Sequence, residues 1–106
     1  MSKYLIQANY KTDGVKGLLK EGGSNRRASV EKSIQTIGGK VEAFYFAFGE
    51  TDVYLIVDLP DNASAAALAL TVAGSGVVTC KTTVLLTPEE IDAAAKKSPA
   101  YRAPGK

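Results

Sequence analysis

Apolar and polar positions alternate with a period of two along "KYLIQANY" (3–10). Tyr4, Ile6, Ala8 and Tyr10 fall on one side, and Leu5, Gln7 and Asn9 on the other. That is the pattern of a strand with two different faces. From Thr12 the period lengthens: Val15, Leu18, Leu19, Gly22, Gly23, Val30, Ile34 and Ile37 follow one helical stripe, which Gly38-Gly39 closes. "KVEAFYFAF" (40–48) returns to strand, rich in aromatics, and "GETD" (49–52) predicts a tight hairpin turn. "DVYLIVDLP" (52–60) is apolar on nearly every position, as a central strand is. Asp61, Asn62 and Ser64 offer N-cap chemistry for the alanine-rich helix "ASAAALALTVAG", which Gly74 and Gly76 end. "VVTCKTTVLL" (77–86) is a fourth strand. "TPEE" (87–90) then combines an N-cap Thr87, Pro88 at the first helical position and Glu90 three after the cap, which predicts a terminal helix over 88–97.

Strand, helix, strand, strand, helix, strand and a last helix is the order of an α+β, ferredoxin-like βαββαβ fold with an antiparallel four-stranded sheet. Residues 1–97 form its single domain and 98–106 a loosely held tail. Two helices cover one face of such a sheet. The other face offers Leu5, Gln7, Asn9, Tyr54, Ile56 and Asp58, with aromatics among Phe44, Tyr45, Phe46 and Phe48. An apolar face of that size is expected to be covered by a partner. The economical partner is a second copy, giving a homodimer of the dimeric α/β-barrel kind with a small cavity between the sheets.

The long stretch "FGETDVYLIVDLPDNASAAALAL", with the early "KYLIQANYKTDGVKGLL", resembles the GYD domain family, small bacterial proteins placed near the dimeric α/β-barrel superfamily. The likeness runs from Lys3 to about Ala95. The family is named for a Gly-Tyr-Asp motif at the hairpin between strands two and three. Here Gly49, Thr51 and Asp52 correspond, with Glu50 between the first two, and the tyrosine is missing. Its hydroxyl therefore carries no role over. The resemblance implies the fold and leaves the activity unassigned.

Composition removes chemistry more than it adds. The chain has 106 residues, no histidine and one cysteine. Every His-dependent catalytic set is excluded, and so is a tetrahedral nitrogen/sulfur zinc site within one chain. No metal and no cofactor is expected. A lone cysteine and the lack of a long apolar run point to a cytoplasmic protein without membrane contact. Net charge is +2, which divides into +5 over residues 1–40 and −3 over 41–106. The basic half is too sparse for a nucleic-acid partner and fits a solvated helix face.

Three groups of residues carry candidate chemistry. "GGSNRRASV" (22–30) reads in three ways. Ser24, Arg26 and Arg27 can hold an anion at a restarted helix, or Arg26-Arg27-Ala28-Ser29 can serve as a basophilic kinase site. In the third reading the glycines permit close packing while the Arg26 stem lies on the core and its head meets a carboxylate. Gln7, Asn9, Tyr54, Asp58 and Lys81 form a cavity set on the face away from the helices. The plainer account of that set is a dimer interface in which Asp58 and Lys81 pair. Glu50 and Asp52 fit hairpin chemistry better than a catalytic pair. Cys80 is expected to pack under the helices as a small hydrophobe. The leading function is a small-molecule-binding homodimer. Its alternatives are a cofactor-independent enzyme, isomerase or monooxygenase-like, and a purely structural assembly protein.

Overall fold

The computed structural model describes residues 1–106. Its elements are β1 (Ser2–Tyr10), α1 (Thr12–Glu21), α2 (Gly23–Thr36), β2 (Lys40–Phe46), β3 (Val53–Leu59), α3 (Asn62–Gly74), β4 (Val78–Leu85) and α4 (Pro88–Ala95). The strands form one sheet in the order β2-β3-β1-β4, with every neighbouring pair antiparallel. Each crossover, α1–α2 and α3, carries the chain past one antiparallel strand. That is the ferredoxin-like arrangement expected from the element order.

Alternation along β1 and β3 divides the sheet cleanly. Tyr4, Ile6 and Ala8 oppose Val57, Leu55 and Val53, and all six are buried beneath the helices. Ile34 from α2 and Ala65 from α3 close this core from above. Tyr4, Ile34, Val57 and Leu59 are its most completely buried large side chains. The Tyr4 hydroxyl donates to Asn62 Oδ1 at 2.6 Å, so burial of the ring leaves no polar atom unpaired.

The expected single first helix is two. Gly22, at φ 85° and ψ 158°, donates to Leu18 O to end α1, and its own carbonyl accepts from Arg26 N to begin α2. Only glycine adopts that backbone without strain, which is why the break falls there. The hairpin is also looser than a tight turn. β2 stops at Phe46, and six residues, Ala47–Asp52, lead to β3. Asp52 fastens this loop: its carboxylate accepts from Tyr10 N at 2.9 Å and its own N–H donates to Ala8 O and to Asn9 Oδ1. The hairpin role expected for Asp52 is what it performs.

Local signals set the last two helices. Asp61 caps α3 by accepting from Ser64 N at 2.8 Å. That bond holds the Asp61 carboxyl below its usual pKa. Thr87 and Glu90 complete the capping box of α4. No residue of α4 is buried, and Ile91 and Tyr101 are 51% and 79% exposed. The chain past Leu85 therefore projects as an arm, and it stretches the molecule to 56 × 33 × 23 Å. No helix is long and apolar enough to cross a membrane.

Candidate functional site

The open sheet face carries the five expected cavity residues, and strand register sorts them. Tyr45 lies opposite Tyr54, Tyr54 opposite Gln7, and Gln7 opposite Lys81. Adjacent strands lie about 4.8 Å apart, so these four side chains form a single row across the sheet. The next row is apolar: Ala43, Ile56, Leu5 and, at the edge, Thr83. Gln7, Tyr54 and Lys81 are thus brought together, and Lys81 makes no ion pair.

Asn9 and Asp58 sit at opposite ends of this face. Asn9 Oδ1 is occupied by the Asp52 N–H at 3.0 Å, which makes it part of the hairpin fastening. Asp58 is four residues from Tyr54 along β3, about 13 Å away at strand rise. It lies opposite Lys3 in the register and binds that ammonium at 3.0 Å. Lys3 also reaches Glu42 at 3.2 Å. Within one chain Asp58 does not pair with Lys81: antiparallel register puts Lys81 beside Gln7 and Lys3 beside Asp58. Asp58 is only 6% exposed. Hydrogen bonds from Lys3 to Asp58 and then to Glu42 raise the lysine pKa above its usual value.

The anion candidates part company at the Gly22 break. Gly22, with no side chain, is the N-cap of α2, so Ser24 lies inside the first turn and caps nothing. Ser24 and Arg27 border a shallow depression with Gly23, Phe44 and Phe46. Arg27 is engaged with Glu31 one turn on, at 3.2 Å. Arg26 turns the other way, lies beside Val30, and has Glu21 at 3.7 Å. That placement matches the reading with the stem on the core and the head toward a carboxylate. Ser29 lies within α2.

A cavity also lies on the helix side. About 300 Å³ of space opens between α2, α3 and the sheet, lined by Ile6, Ala8, Phe44, Leu55, Leu68 and Cys80 among others. None of the five open-face residues borders it. Cys80 packs beneath the helices as expected, and burial raises its thiol pKa. Sequence reasoning missed the cleft and with it Tyr10. The available signal was α3 itself, where Ala65 and Ala69 turn short side chains toward the sheet. Methyl groups leave unfilled the space that leucines would occupy.

A protein-family model described as GYD domain matches residues 4–95, nearly the whole chain. It spans every element from β1 to α4, and agrees with the resemblance carried by the "FGETD" and "KYLIQANY" stretches. No curated protein and no solved structure is similar enough to match.

Proposed function

The chain belongs to the GYD domain family, and from that premise we propose that it is a homodimer that binds a small molecule between two facing open sheets. One observation carries the reading. A folded monomer of 11.1 kDa is expected to expose about 5,700 Å², whereas this chain exposes 7467 Å². The surplus is roughly 1,800 Å² per chain, more than the ~800 Å² that each partner buries in an ordinary stable complex. The radius of gyration agrees: 16.9 Å against about 13 Å for a compact domain of this length. The surplus has two sources, the uncovered sheet face and the C-terminal arm. The Ala43–Ile56–Leu5 row supplies an apolar centre for the interface. The Tyr54–Gln7–Lys81 row beside it supplies donors and an unpaired cation for a polar or anionic ligand.

The ion pair of Asp58 with Lys3 at 3.0 Å fits a structural role for that buried carboxylate and leaves Tyr54, Gln7 and Lys81 as the ligand row. The reading is tested by native mass spectrometry of the protein and of Ile56→Asp. A dimer carrying a releasable small mass, with both dimer and adduct lost in the variant, is the expected result. A monomeric native protein overturns the proposal. An empty dimer overturns its ligand half and leaves assembly as the function.

A further inference from the structure

The cleft between α2 and α3 lies on the opposite side of the sheet from that interface, and its lining is not that of a simple packing gap. Its floor comes from alternate positions of β1 and β4: Ile6 and Ala8 beside Cys80, with Tyr10 beside Val78. Leu68, Ala69 and Val72 of α3 form one wall and Val30 of α2 the other. The polar groups that border it fall into two kinds. Ser33, Thr71 and Ser75 donate to Ser29, Ala67 and Val72 carbonyls of their own helices, so their hydroxyl protons are spent. Arg26, Tyr10 and Thr82, which stands opposite Ile6 on the floor, are different. The guanidinium, the phenol hydroxyl and the Thr82 hydroxyl donate no hydrogen bond to any group of the chain. Arg26 forms an ion pair with Glu21 at 3.7 Å, beyond hydrogen-bond range, so its charge is partly balanced while its N–H donors stay open. Burial is the main reason the Tyr10 phenol pKa is raised; the Arg26 charge lowers it, and the Glu21 and Asp52 carboxylates raise it further.

An apolar chamber bordered by a cation and hydroxyl donors selects a molecule with an apolar body and an oxyanion head. We propose that this cleft binds a small aliphatic or aromatic carboxylate, with the body against Ile6, Ala8 and Leu68 and the carboxylate on Arg26 and Tyr10. At the ~30 Å³ that a water molecule occupies, 300 Å³ holds roughly ten non-hydrogen atoms. Octanoate, with that many, is the matched probe, and octanol is its uncharged counterpart.

Calorimetry reads the affinity, and Cys80 reads the place, since the only thiol of the chain lines the cleft. Octanoate is expected to bind one per chain, to slow the reaction of Cys80 with a thiol reagent, and to bind more tightly than octanol. Arg26→Met keeps the stem and removes the charge. A charge-assisted hydrogen bond is worth a factor of about ten or more in affinity, so this variant loses at least that for octanoate and nothing for octanol. Tyr10→Phe loses less in the same sense. Ala69→Phe fills the chamber and abolishes both. Octanoate that binds without protecting Cys80, or that binds Arg26→Met as well as the native protein, overturns the proposal. So does the absence of octanoate binding altogether. Because the cleft is complete within one chain, Ile56→Asp retains octanoate binding whatever its oligomeric state; a loss there with Arg26 intact also overturns the site.

Discussion

The two faces of one sheet meet different fates in this protein. Along β1, Tyr4, Ile6 and Ala8 are sealed, while Leu5 and Gln7, one residue away on the other face, remain partly open. Both series contain apolar side chains, so hydrophobicity alone does not distinguish them. The helices do. Both crossovers pass over the same face, and they leave the other without helices. Each face is also incomplete in its own way. The helix side has its apolar groups enclosed but an unfilled chamber with idle donors. The open side has its charges paired at the Lys3–Asp58–Glu42 end and an uncovered apolar row beside it.

The comparison is broken most readily by truncating one isoleucine on each side. Ile34→Ala removes a side chain with no exposure and is expected to cost about 3–4 kcal/mol in urea unfolding, at any protein concentration. Ile56→Ala lies on the open face, so its cost is expected to depend on concentration if, as proposed, a second copy covers that face. Equal costs, both independent of concentration, would show that the two faces do not differ in this way.

Glycines sharpen the same contrast at smaller scale. A Cβ on Gly39 would stand 2.5 Å from Asp58 O and 2.6 Å from Leu59 Cδ2, at the seam between α2 and the sheet. Gly39→Ala is therefore expected to destabilise by about 1–3 kcal/mol through overpacking. Gly17 in α1 has nothing within 4 Å, and Gly17→Ala is expected to stabilise by up to ~1 kcal/mol through helix propensity. Thermal unfolding of the two variants reads both signs.

The smallest effect is alkaline. Lys3, on the open face, has its pKa raised above 10.5 by hydrogen bonds to Asp58 and Glu42. Its contribution is complete below that pH and lost as pH climbs through the folded value. Tyr10, on the helix face, has its pKa raised above 10.0 chiefly by burial, so its neutral form stabilises the fold until the same climb begins. Urea midpoints are expected to fall at high pH. Asp58→Asn should flatten the part belonging to Lys3, and Tyr10→Phe the part belonging to Tyr10. A slope unchanged in both variants would assign the alkaline loss to neither.

Much of the fold was legible because it is written locally. The two-residue period of "KYLIQANY", the Asp61 cap and the Thr87–Glu90 box each act within a few residues, and each appears in the structure where the sequence puts it. The Gly22 break was half legible: a restarted helix was one of the readings open at the glycine pair, and the local pattern did not choose it over a continuous helix. The site was less legible. Gln7, Tyr54 and Lys81 share a row as alternation implied, yet alternation assigns a face and says nothing of position along it. That Asp58 meets Lys3 within the chain was therefore not legible.

By itself the sequence determined the elements, their order, the two-faced character of the sheet and the absence of histidine chemistry. These depend on periodicity, caps and composition, which act at short range. Only the tertiary structure decided which residues stand opposite one another, and so gave Asp58 to Lys3. It alone opened a chamber beneath the alanines of α3 and turned Arg26 and Tyr10 to its rim. Register and helix separation arise from contacts between residues far apart in the chain, and no local pattern records those distances.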